Sequence, residues 1–223
     1  MSKTNKAFLI IGTLIGCTAL ILQFYITLSY SPQSGLTYFQ SVVKFFSFMT
    51  ILTNILVTLT YMIPLLSPGS KWGLYFQRPF VQSGVLVYIL IVGIVYHFML
   101  AHIWDPQGLE KFVDVLLHYV MPAFYLLYWL VNTEKGRQKI INCIKWLSYP
   151  LAYIIYILIR GHFSGMYPYP FIDVSKFGFE TVLKNIFFIT IGYILMGLLI
   201  IFLDNILYRF SRGKDTSSEM KYF

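Results

Sequence analysis

Four residues of this chain have the types and spacing for acyl transfer: Ser47 and Thr50, three apart, and Asp114 and His118, four apart. On an α-helix residues three or four apart share a face, so a carboxylate can reach an imidazole and two hydroxyls can be offered together. A hydroxyl beside a histidine that can take its proton is the minimum for nucleophilic ester cleavage. An acidic neighbour then fixes which ring nitrogen keeps its proton. The reading is Ser47 or Thr50 as nucleophile, His118 as base and Asp114 as orienter. Each residue also has an ordinary role. Serine and threonine in membrane helices bond back to a carbonyl one turn earlier, histidine joins helices, and an aspartate near a helix start is favoured by the dipole.

Other chemistries have less to stand on. His97 and His102 are five apart, a poor same-face spacing for a metal, and no metal site is assigned. Gly161-His162-Phe163-Ser164-Gly165 displaces its serine by one from the nucleophile-elbow pattern, and no strand precedes it. There is no phosphate loop or dinucleotide fingerprint, so no cofactor is expected. Two cysteines, Cys17 and Cys143, make no disulfide framework. Leu14-Ile15-Gly16-Cys17 resembles the box before a lipidated cysteine, but the apolar run continues to Leu28, which reads as a retained span.

The elements that must carry these residues are membrane helices. The 223 residues are 57% hydrophobic, 19% aromatic and 12% charged, against roughly 25% charged in soluble domains. Mean hydropathy is +0.68. The net charge of +8 does not indicate nucleic acid, because the basic residues sit between apolar runs and not on a polar, aromatic-laced face. Apolar runs cover about 7–29, 39–62, 80–101, 113–132, 146–159 (reaching 165 at most) and 182–208. About 20 residues span a bilayer core, and only helices do so without orphaned backbone groups in the absence of a barrel pattern. Pro, Gly and Ser clusters punctuate the runs. The expectation is an all-α bundle of six transmembrane helices over 1–210, with a polar, frayed cytoplasmic tail over 211–223.

With six spans, Lys3, Lys6, Lys71, Arg78, Lys135, Arg137, Lys139, Lys145, Arg209, Arg212, Lys214 and Lys221 share one side, twelve of the 17 basic residues. The bias places both termini in the cytoplasm of a multi-pass protein of the cell membrane. It also gathers the reactive groups at the outer end: Lys44, Ser47, Thr50, His97, His102, Asp114, His118, Arg160, His162 and Asp173. Intramembrane ionisable groups cost a few kcal/mol unless they face a cavity or one another, so the clustering favours a functional cavity. Lys44 and Arg160 have a simpler reading as snorkelling cations.

Three patches carry a family resemblance: Lys44-Phe45-Phe46-Ser47-Phe48 in the second span, His118 with Pro122 in the fourth, and Gly165-Met166-Tyr167-Pro168-Tyr169-Pro170-Phe171 after the fifth. Their order resembles the androgen-induced membrane protein family, including bacterial relatives, whose characterised animal members are threonine hydrolases of fatty acid esters of hydroxy fatty acids. The resemblance implies a lipid-ester hydrolase open to the outer leaflet. The family's catalytic hydroxyl matches Ser47, where the animal pattern has threonine, with Thr50 the alternative counterpart; the catalytic histidine matches His118. A membrane lipid or amphipathic lipid ester would place its chains among the aromatics while Lys44 or Arg160 meets a carboxylate, with His162, Tyr167 or Tyr169 beside the oxyanion. A non-catalytic lipid-binding or transport protein is the alternative. The oligomeric state stays open.

Overall fold

The computed structural model describes residues 2–219, with side chains described for 2–211. It is an all-α bundle, and among the described residues six helical stretches are long and apolar enough to cross a membrane: Lys3–Ser29, Met49–Leu66, Pro79–Leu100, Leu109–Asn132, Ile140–Ser164 and Val174–Ser211. The protein is thus a multi-pass membrane protein. The last helix continues as helical backbone to Glu219, and the rest of the polar tail, 220–223, lies outside the described residues.

The second apolar run is not one helix. It divides into α2 (Tyr38–Phe45) and α3 (Met49–Leu66), with α1 (Lys3–Ser29) packed against both. In a continuous helix Phe45 and Phe48 would share a face. The break lets Phe45 pack edge-on against Phe24 of α1, at 5.1 Å between ring centroids, and sends Phe48 to Tyr169, at 5.8 Å. α2 starts on a capping box formed by Thr37 and Gln40. α3 starts on Phe48, whose side chain has nothing to offer the first N–H groups.

Two further spans depart from ideal geometry at the same end. After α4 (Lys71–Phe76), α5 (Pro79–Val95) widens into a π-turn over Tyr96–Leu100. α6 (Leu109–Val115) widens over Leu116–Val120 before α7 (Met121–Asn132). Pro122 has no N–H to give the His118 carbonyl four residues earlier, which loosens the second turn. Gly93 faces that carbonyl: a Cβ there would lie 3.0 Å from the His118 oxygen. The span 140–164 comprises α8 (Ile140–Trp146) and α9 (Ser148–Ser164). Gly165, at φ 67°, closes α9 in the left-handed region and turns the chain into the segment 167–172 ahead of α10 (Val174–Glu219), which is broken by a kink at Gly178, φ 75°.

The opposite end of the bundle is closely packed. Tyr61 lies 5.5 Å from Tyr125 and 5.2 Å from Tyr128, all three buried. Gly16 of α1 lies against Thr58 and Met121, where a Cβ would collide with the Thr58 hydroxyl. Small residues at such crossings let membrane helices approach closely. Lys135 caps α7 by donating to the carbonyls of Trp129 and Thr133, and buried Asp204 accepts the Gln138 N–H.

Candidate active site

The breaks in regular helix meet at one point. The Thr50 Oγ1 atom lies 3.3 Å from Nε2 of His118. The other ring nitrogen, Nδ1, is 3.0 Å from Asp114 Oδ1 and 3.0 Å from the Asp114 carbonyl oxygen. A backbone carbonyl can only accept, so the contact with it places the proton on Nδ1. Nε2 is left with its lone pair toward Thr50, and the threonine hydroxyl is the donor. The Asp114 and His118 side chains are each 12% exposed and Thr50 is 8% exposed, so the chain of bonds is shielded from water without being sealed.

Tyr96, from the π-turn of α5, completes the arrangement. Its hydroxyl donates to Asp114 Oδ2 and its ring stacks on the His118 imidazole at 3.7 Å between centroids, 12° from parallel. One tyrosine therefore holds both the carboxylate and the plane of the imidazole. Asn54, one turn along α3 from Thr50, gives its amide hydrogens to the carbonyls of Thr50 and Leu117, at 2.9 and 3.3 Å. It ties the backbone that carries the hydroxyl to the backbone that carries the histidine.

Ser47 is placed differently. It is fully buried, donates its hydroxyl to the Val43 carbonyl at 2.5 Å, and its own carbonyl accepts from Tyr153 at 3.0 Å. The interruption between α2 and α3 separates it from Thr50, so the two hydroxyls do not share a helix face. Of the pair offered by the sequence, it is Thr50 that meets His118.

Tyr169 reaches the same point from the turn after α9. The Thr50 N–H donates to its phenol oxygen at 3.3 Å, and that oxygen lies 3.5 Å from Thr50 Oγ1. Tyr169 thus caps the uncapped start of α3. Burial raises its phenol above the ordinary range, while hydrogen bonding at its oxygen, which includes the Thr50 N–H, acts in the opposite sense.

Thr50, Tyr96 and Tyr169 form the polar edge of a pocket running between α5, α9 and α10, with about 730 Å³ of space free of protein atoms and partly open to the outside. Ile91, Val95, Ile154, Ile189 and Tyr193 are among its walls, and no charged residue is among the described residues that line it. That space includes the part open to the outside, and its apolar lining suits an alkyl chain.

The remaining sequence candidates lie elsewhere. Lys44 is exposed on α2. Arg160 donates to the Met166 carbonyl at 3.2 Å and so secures the turn after α9, with its Nε buried and unpaired among the described residues. Tyr167 packs its ring against Gly161, and together with exposed His162 it lines a separate shallow depression beside Phe163 and Phe179. His97 pairs with Tyr119 and His102 is exposed, so one histidine of the four reaches Thr50.

No protein-family model matches the chain, and no curated protein or solved structure matches it. The functional reading therefore rests on the site itself.

Sequence reasoning missed Tyr96, Asn54 and Tyr153. Their partners lie 18, 63 and 106 residues away in the chain, and no local spacing announces them. A signal for the π-turn was present in Pro122, four residues after His118.

Proposed function

We propose that this chain is an intramembrane hydrolase of lipid esters, of the kind represented by fatty acid esters of hydroxy fatty acids, with Thr50 as nucleophile. The observation that carries the reading is the line of atoms from Thr50 Oγ1 through His118 to Asp114, at 3.3 and 3.0 Å. A general base at this distance takes the hydroxyl proton as the ester carbonyl is attacked, and such contacts tighten when substrate binds. The resulting imidazolium is stabilised by Asp114, whose second oxygen is already held by Tyr96. The leaving alcohol recovers the proton, and water attacks the acyl-threonine by the same route in reverse.

Substrate class follows from the pocket. An acyl chain in the space between α5, α9 and α10 brings its ester to Thr50, while the absence of charge among the described lining residues keeps ionic groups of the substrate out of that arm. The resemblance to the androgen-induced membrane protein family points the same way, with Thr50 in place of Ser47 as the counterpart of the family's threonine. Residence in the cell membrane with both termini cytoplasmic belongs to the same proposal and rests on the bias of basic residues.

The test is hydrolysis of a fatty acid ester of a hydroxy fatty acid by the purified protein in nanodiscs, with Thr50→Ala, His118→Ala and Ser47→Ala compared at equal folded amounts. The expected result is loss of turnover in the first two and its retention in the third. A folded wild type that binds such esters without cleaving them supports instead a lipid-binding or transport protein, which the same apolar pocket would also serve.

A further inference from the structure

We infer that the Tyr169 phenol is the hydrogen-bond donor that stabilises the oxyanion formed when Thr50 attacks an ester. The inference rests on the hydrolase reading and assigns a role that the pair Thr50 and His118 leaves unfilled: neither side chain can donate to the carbonyl oxygen while one is forming the new bond and the other is taking the proton.

Three observations converge on Tyr169. First, its oxygen is held beside the nucleophile from two directions, 3.5 Å from Thr50 Oγ1 and within a 3.3 Å hydrogen bond from the Thr50 N–H. Second, the acceptor side of the phenol is already used. α3 starts on Phe48, which caps nothing, and the N–H of Thr50 turns to the Tyr169 oxygen instead. A hydroxyl that accepts from a backbone N–H is polarised toward giving its own proton, and that proton is the one still available. Third, Tyr169 shares the edge of the apolar pocket with Thr50, so an ester lying in the pocket passes both groups.

The geometry suits the transition state better than the ground state. In the tetrahedral adduct the oxyanion lies two bonds from Oγ1, on the carbon that Oγ1 has just joined. A donor 3.5 Å from Oγ1 can therefore stand about 2.7–3.1 Å from that oxygen, the separation an oxyanion donor needs. The step balances: the Oγ1–carbon bond forms, the carbonyl π pair moves onto oxygen, and the hydroxyl proton passes to His118 Nε2. Tyr169 keeps its proton and shares it with the oxyanion. On collapse the pair returns, the carbon–alkoxide bond breaks, and His118 returns the proton to the departing alcohol. Gly165 and the Arg160 bond to the Met166 carbonyl hold the turn that brings Tyr169 to this place.

A purely structural Tyr169 would be a helix cap and no more, and the two roles separate in experiment. Full-length protein in nanodiscs would be assayed with the p-nitrophenyl ester of decanoic acid, comparing wild type, Tyr169→Phe and protein carrying mono-, di- or trifluorotyrosine at 169. Thr50→Ala serves as the blank. The expected result is a fall of about 10²–10³ in kcat for Tyr169→Phe with KM little changed, as for removal of one oxyanion donor. In the fluorotyrosine series, which keeps the hydroxyl and nearly the same shape, kcat should rise as the phenol becomes more acidic. Should Tyr169→Phe fail to fold, the fluorotyrosine series alone decides. A flat or falling series, or a folded Tyr169→Phe within about threefold of wild type while Thr50→Ala is inactive, overturns the role of Tyr169 and leaves the hydrolase reading in place. Wild-type turnover by Thr50→Ala removes the hydrolase reading, and this inference with it.

Discussion

The two ends of the bundle are built on opposite terms. At the Tyr61 end small residues bring the helices close and several polar tips of buried aromatics are paired: Gln82 donates to the Tyr128 hydroxyl at 2.9 Å, and the Trp129 indole donates to Ser83 at 2.9 Å, while the Tyr61 hydroxyl is buried with no hydrogen-bond partner among the described residues. At the Thr50 end one span is broken, two are widened by π-turns, and α3 starts on a residue that cannot cap it. Irregular backbone within a membrane protein survives only where other groups satisfy it. Here the groups that do so are Asn54, Tyr153 and Tyr169, which bond the backbone of Thr50 and Ser47. On the proposed function the irregular end carries the reaction and the closely packed end the stability, so changes at the two ends should separate into losses of stability and losses of rate.

The largest expected effect is His118→Ala, which should lower kcat by roughly 10²–10⁴ with the protein still folded, as loss of a general base does. Asp114→Asn comes next. Its amide has one acceptor where the carboxylate had two, so it cannot satisfy both Tyr96 and the Nδ1 proton, and activity should fall about 10²-fold or more as the wrong tautomer is populated. The readout is kcat against pH for each variant, and an unchanged profile for Asp114→Asn would deny that Asp114 sets the tautomer. At the other end, Gly16→Val should cost about 1–3 kcal/mol by forcing α1 from Thr58 and Met121, seen as a lower Tm. The kcat per folded molecule should stay within about threefold of wild type; if rate falls with Tm, the two ends are not separable.

A smaller effect is expected at the start of α10. Asp173 accepts from the Ser175 hydroxyl and from the N–H groups of Ser175 and Lys176, and these contacts hold its carboxylate below the ordinary range. Asp173→Ala should cost about 1 kcal/mol, as loss of a cap does, without touching kcat. The depressed pKa means that this stability is present above the ordinary carboxylate range and is lost as pH falls through the folded value. Ser47→Ala should be the mildest in activity, because its hydroxyl is committed to the Val43 carbonyl.

What the sequence made legible follows from what is local. Hydropathy gave six spans, because each must be apolar along its own length. The pairing of Asp114 with His118 was also readable, being a contact between successive turns of one helix. The break at 46–48 was hidden, since Phe45-Phe46-Ser47-Phe48 reads as uninterrupted apolar helix; what divides it is the separate packing of Phe45 on α1 and Phe48 on Tyr169. That break is why Ser47 and Thr50, equivalent on paper, have different fates. Tyr96 and Asn54 could not be found by spacing, since their importance arises only when α5, α3 and the second π-turn meet.

The central claim is that Thr50, activated by His118, is a nucleophile. Its most direct test is to treat the folded protein in nanodiscs with a fluorophosphonate and to locate the adduct by peptide mass spectrometry. The account predicts a phosphonyl group on Thr50 that is absent in His118→Ala. An adduct on Ser47, or a folded protein that hydrolyses esters yet carries no adduct on Thr50, would contradict it.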